Sequence, residues 1–354
     1  MNESLVRSRG ELLSIALRGS WRVLPSDSDS LPLTQLDAIA PALCGSGAAA
    51  LAWWRLRESA KAGTETTELL REAFRFQTLH ARIYQTKLRK IFRLLREAGV
   101  EPILMKGWAI ARLYPRIGLR PSGDIDLFVR PRDHRAALSI VKSDEARDCW
   151  VDLHARIFEL ADRPPEDLFA RSTLVPCDDE QIRVFSREDQ LALMAVHLLK
   201  HGAWRPLWLC DIALWLESLP ADFDWRLCLG KSRRRANWIV SAAGLAAALV
   251  GARIDDEEMA ARAQKIPAWL PPAVLRQWNS PFAPAHEYFP LMAGYLNRPA
   301  AFARQVGRRW PDPIVATVNV GGQFNQFPRI PYQMAEMAAR TVKFFWRLGR
   351  ATPA

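Results

Sequence analysis

Cysteine is scarce, and what there is forms no pattern. Cys44, Cys149, Cys177, Cys210 and Cys228 are odd in number, widely spaced and contain no Cys-x-x-Cys pair. That argues against a disulfide framework or a zinc knuckle, and for reduced, buried thiols. Long apolar runs are also missing. Met1–Leu24 carries Glu3, Arg7, Arg9, Glu11, Arg18 and Arg22 among short apolar pieces, so no secretory core forms there. The least polar stretch, Trp238–Ala252, is too short to span a bilayer, and its Ala, Gly and Ser content suits a packed core helix. No transmembrane segment is expected, and the location expected is cytoplasmic. Internal repeats, low-complexity tracts and recognised DNA- or RNA-reading motifs are absent too.

What is present is a folding composition. Of the 354 residues 49% are hydrophobic and 25% charged, enough to bury a real core. Lys plus Arg outnumbers Asp plus Glu by 49 to 38. A basic surface attracts phosphate-bearing partners, and it equally serves plain solubility. Much of the excess falls in residues 301–350, where Arg304, Arg308, Arg309, Arg329, Arg340, Lys343, Arg347 and Arg350 face only Asp312 and Glu336.

Residues 1–98 read as helical, most clearly over Glu68–Ala98, where Tyr84, Leu88, Ile91 and Leu95 recur at helical steps before Gly99 stops the run. A mixed stretch follows, with short runs at Glu101–Met105, expected as a buried strand, at Ile125–Val129, expected as a second strand, and at Trp150–His154, a candidate for a short third. The helical period returns over Glu188–Leu219, divided near Pro206, and over Arg233–Gly251. Residues 267–332, rich in proline and aromatics, are expected to wrap the surface, and Tyr332–Leu348 to form a last basic helix.

Three features of the mixed stretch carry chemistry. Asp124 and Asp126 flank Ile125 at a strand start, so alternation sends both carboxylates to one face, where a hard cation such as Mg²⁺ would relieve their repulsion. Lys106-Gly107 sits between a strand and a helix, where a bare backbone and a mobile cation suit phosphate. Asp152 and His154 share one face of the third strand, and a third acid can assist a metal or take a proton. Each feature also has an ordinary reading, as a solvated strand face or a plain turn.

In this order (strand, Lys106-Gly107 turn, helix, Asp124-Ile125-Asp126-Leu127, then Asp152-Leu153-His154) the chain resembles the nucleotidyltransferase superfamily of the DNA polymerase β type. It is most similar to a bacterial family of uncharacterised nucleotidyltransferase-like proteins, which also has the Tyr114-Pro115 pair, Arg120 before the Asp-x-Asp, and downstream His197, His201 and Asp211. The resemblance covers most of residues 40–250. It implies an α+β fold, with a small mixed-sheet nucleotidyltransferase core (99–187) between a helical N-terminal region (1–98) and a helical C-terminal region (188–354). It implies nucleotidyl transfer from a nucleoside triphosphate to an acceptor hydroxyl on a small molecule, peptide, protein or RNA. Asp124 and Asp126 would hold Mg²⁺ or Mn²⁺, Lys106, Gly107 and Arg120 would position phosphates, and Asp152 would assist deprotonation. His154, His197, His201 and Asp211 would touch substrate. Trp108 stands where the superfamily has a small residue, and Pro131–Asp148 has room for a helix and little else.

Two other readings stand beside this one. His197 and His201, four apart on a helix, could join His154 and Asp211 as the metal set of a hydrolase, although helix-packing histidines are the commoner case. The fold could also serve a non-catalytic nucleotide- or partner-binding protein. In the last helix, Met334, Met337, Ala338, Val342 and Phe345 are expected to pack on the domain itself.

Overall fold

Helix boundaries fall where side chains satisfy loose backbone N–H groups. In the computed structural model, which describes residues 7–23, 31–59, 63–279 and 310–350, Ser8 and Glu11 cap each other's backbone at the start of α1 (Arg9–Leu17). Two helices follow, α2 (Leu33–Ser46) and α3 (Ala49–Leu56). Thr64 caps α4 (Glu65–Glu97), the long helix expected from periodicity, and Gly99 ends it at φ 76°. Its buried stripe includes Tyr84, Leu88, Ile91 and Leu95, as the spacing predicts.

The sheet has five strands in the order β3-β2-β1-β5-β4. β1 (Ile103–Leu104) runs antiparallel to β2 (Ile125–Phe128) and parallel to β5 (Glu180–Val184), while β3 (Val151–His154) runs parallel to β2. β4 (Thr173–Cys177) closes the other edge as a hairpin with β5. Short α5 (Trp108–Ala111) follows β1, α6 (His134–Val141) fills the segment between β2 and β3, and α7 (Pro165–Arg171) precedes β4. The sheet parts two cores. Leu104, Ile125, Leu127, Val129 and Val184 pack with the α4 stripe. Ile103, Met105, Phe128 and Phe185 belong to the larger core, which runs from Leu12 to Phe324.

The helical period after residue 187 resolves as α8 (Arg187–Lys200) and α9 (Pro206–Glu217), split before Pro206 as expected. There follow α10 (Trp225–Leu229), α11 (Arg233–Leu245) running into a π-turn at Ala246–Val250, and α12 (Glu257–Ala263). The stretch expected as surface wrapping contains α13 (Leu270–Asn279) and α14 (Pro313–Asn319). Arg304, Arg308 and Arg309 lie outside the described residues. Helices before and after the sheet share the larger core, for α1 lies on α13 and the Gly10 N–H donates to Asn279 Oδ1 at 2.6 Å.

The last helix, α15 (Ile330–Arg350), overturns the expected packing. Its inner side is polar. Gln333 donates to the Pro311 carbonyl at 2.7 Å, and Glu336 accepts from Asn319 at 2.8 Å. Met334, Ala338 and Val342 point outward. Polar anchors next to α14 fix the helix rotation, and they outweigh the apolar count; the side chain of Phe345 lies outside the described residues. No helix among the described residues is long and apolar enough to cross a membrane.

Candidate active site

Alternation along β2 sends Ile125 and Leu127 into the core beneath α4 and turns Asp126 to the opposite face. The parallel register sets Asp126 directly beside Asp152, and Phe128 beside His154. Ligand atoms of Asp126, Asp152 and His154 lie within 4.8 Å of one another, the one such metal-competent cluster among the described residues. Asp126 is buried and Asp152 exposed. Asp124, expected as the twin of Asp126, is exposed just before the strand begins and is not part of the cluster. Asp152, for which taken alone a solvated strand face was the favoured reading, is instead the carboxylate placed next to Asp126.

Lys106 lies 3.0 Å from Asp126 Oδ1. Burial pushes the Asp126 carboxyl up, but His154 and Lys106 outweigh it and hold the group below the usual carboxylate range. The His154 imidazole is held above its ordinary value by Asp126 first and by Asp152, against burial. His154 Nε2 is 3.1 Å from Asp152 Oδ2 and 3.6 Å from Asp126 Oδ1, yet it is buried and makes a well-directed hydrogen bond to neither. Two carboxylates and an orphaned imidazole nitrogen form a donor set that fits a divalent cation.

The Lys106-Gly107 turn lies against Tyr84. Gly107 has φ 61°, and a Cβ there would stand 3.0 Å from Tyr84 Oη and 3.7 Å from Ser122 Oγ. Tyr84 also donates to the Asp124 carbonyl at 3.4 Å, so one phenol ties α4 to the turn and to the strand start. Sequence reading placed Tyr84 on the apolar stripe and passed over its hydroxyl. Ser122 went unnoticed as well, although it brings a hydroxyl to the turn where Trp108 has none.

Arg120 was expected to clamp phosphate, and the structure gives it other partners. It is buried, its Nη2 lies 3.0 Å from Asp211 Oδ2, Nη1 donates to the Pro121 carbonyl at 3.0 Å, and Tyr114 donates to Asp211 Oδ1 at 2.9 Å. Asp211 is thereby drawn away from His154, His197 and His201, and the hydrolase quartet is not assembled among the described residues. A buried carboxylate with a guanidinium in reach takes it, because isolation would cost more.

His197 and His201 do share a helix face. Their rings are 4.5 Å apart, and both lie against Trp208, at 4.8 and 5.6 Å. His197 Nδ1 lies 3.4 Å from Glu159 Oε1, which also takes Lys200 at 3.1 Å. Burial lowers the basicity of both imidazoles, that of His201 to about 3, and Lys106 contributes in the same direction. Glu159, a partner the sequence did not suggest, sits in the short helical turn after β3.

A family model described as "Uncharacterised nucleotidyltransferase" matches residues 37–147 and 141–250. No curated protein and no solved structure matches the chain.

Proposed function

We propose, since the chain belongs to the family of uncharacterised nucleotidyltransferases, that it transfers a nucleotidyl group from a nucleoside triphosphate to a hydroxyl of an acceptor. The acceptor oxygen bonds to the α-phosphorus, the bond from that phosphorus to the pyrophosphate oxygen breaks, and the acceptor proton passes to a base. One observation supports this reading most: Asp126 and Asp152 stand side by side in register, with His154 beside them and the Lys106-Gly107 turn adjoining.

Asp126, Asp152 and His154 would hold the divalent cation, Mg²⁺ or Mn²⁺, with Asp124 at the strand mouth as a further oxygen donor. When bound, the cation supplies charge neutralisation at the phosphate oxygens. Lys106 adds a positive charge to the triphosphate site, and Gly107 keeps the backbone bare for close approach. Asp152, the exposed acid, receives the acceptor proton. Arg120 is a positioning residue: its pair with Asp211 fixes the segment that leads into Asp124. His197 and His201, at the C-terminal end of α8, would contact substrate.

Calorimetric titration with non-hydrolysable triphosphate analogues, with and without Mg²⁺, tests the reading. Binding that needs Mg²⁺ and vanishes in Asp126→Asn/Asp152→Asn supports it, and binding unchanged in that variant rejects it. A second reading draws on the Lys106–Asp126 pair itself: a lysine that already neutralises the carboxylate suits a protein that holds nucleotide without turning it over. That reading expects metal-independent binding and no pyrophosphate release.

A further inference from the structure

Trp150 contradicts its surroundings on two counts. It is 74% exposed, the most open large apolar side chain among the described residues. Its φ is 50°, a region that glycine and asparagine enter readily and a tryptophan enters at a cost. The two other non-glycine residues with positive φ, Asp178 and Ala203, sit in turns and carry small side chains. Packing does not offset the strain at Trp150. The neighbour its ring meets is Lys87 of α4, with Nζ 5.8 Å from the ring centroid.

Its location is fixed by the site. The Trp150 carbonyl accepts the Ile125 N–H at 2.9 Å, so Trp150 flanks Asp124, and Asp152 follows two residues later. Lys87 lies three residues along α4 from Tyr84, the residue that reaches the Asp124 carbonyl. An uncovered indole therefore stands at the start of the two strands that carry the acids, on the side of α4. Backbone strain costs stability, and such costs concentrate where a ligand is met; the uncovered ring offers a flat face to that ligand.

We propose that Trp150 is a stacking platform for the nucleobase of the triphosphate. The proposal rests on the nucleotidyltransferase reading and adds the substrate class: triphosphates held through the flat face of the base, with purines favoured over pyrimidines because their ring face is larger. Stacking reads no hydrogen-bond pattern, so all four bases are accepted to some degree.

The test compares the wild type with Trp150→Gly, Trp150→Asn and Trp150→Phe, each titrated in Mg²⁺ with a non-hydrolysable ATP analogue and with inorganic tripolyphosphate, which has no base. Trp150→Gly is expected to weaken the ATP analogue about tenfold or more and to leave tripolyphosphate unchanged. Its Tm should hold or rise, since glycine accepts the backbone without strain. Trp150→Phe should restore most of the affinity, and Trp150→Asn, which also tolerates positive φ, repeats the glycine test in a second background. Equal affinity of wild type and Trp150→Gly for the ATP analogue overturns the proposal, as does equal loss of both ligands with a lowered Tm. A wild-type protein that binds neither ligand overturns the nucleotidyltransferase reading, and this proposal with it.

Discussion

Lys106 and Asp126 form a 3.0 Å ion pair within the candidate active site, so the carboxylate that would hold a metal ion is already matched by a lysine from the neighbouring turn. The lysine and a divalent cation therefore compete for one oxygen. Lys106→Met removes the competitor. It should raise the affinity for Mn²⁺ alone by about tenfold, the scale of one charge contact near a protein surface, and lower the affinity for triphosphate. Mn²⁺ binding followed by electron paramagnetic resonance checks the first half. Unchanged or weaker Mn²⁺ binding would show that the pair does not compete with the ion.

A Cβ at Gly107 would stand 3.0 Å from Tyr84 Oη, tight enough that the phenol must give way. Gly107→Ala should cost about 1–3 kcal/mol, from strain at positive φ and the close hydroxyl, and should also weaken triphosphate binding. Tyr84→Phe added to it should return part of the loss, because the clash goes and the strain stays. Urea unfolding of the wild type and the two variants decides this.

The Arg120–Asp211 pair is buried with Tyr114, and breaking it strands a charge. Arg120→Ala or Asp211→Asn should cost about 3–5 kcal/mol. The apolar double variant Arg120→Met/Asp211→Leu should recover most of that. If Arg120→Ala unfolds like the wild type and loses only triphosphate affinity, the arginine is a phosphate clamp after all.

His201 and His197 give a pH dependence of definite sign. Burial holds His201 neutral down to about 3, and it lowers His197 as well. In the unfolded chain both take a proton near about 6.5. The unfolded state thus binds more protons between those values. The stability these residues contribute is complete above about 6.5 and declines as pH falls toward about 3. Thermal melts across that window should show the decline, and His201→Gln should flatten it. A slope unaltered in the variant would mean other groups control the acid limb.

Much of the site could be read from the sequence because its signals are local. The apolar runs at 103–104 and 125–128, the glycine between them and the alternation around Ile125 are all short-range patterns. The β4–β5 hairpin was not read, since Glu180-Gln-Ile-Arg-Val184 is half polar and its Asp178-Asp179 turn lacks the usual glycine. The pairing of Arg120 with Asp211 joins residues 91 apart, and the contact of Tyr84 with Asp124 joins residues 40 apart. No periodicity encodes such distances. The outward turn of Met334 and Val342 on α15 likewise follows from polar anchors on α14 and just before it, outside the helix itself.

The seating of α1 on α13 sets an order of events during synthesis. The Gly10–Asn279 bond joins residues 269 apart, and the larger core needs both ends of that span. A nascent chain halted before Asn279 leaves the α13 side of α1 without its partner, so α1 completes its packing only after α13 is made. Closing so long a loop is costly in entropy and slow. The ribosome must therefore deliver the whole span from α1 to α13 before α1 is fully seated.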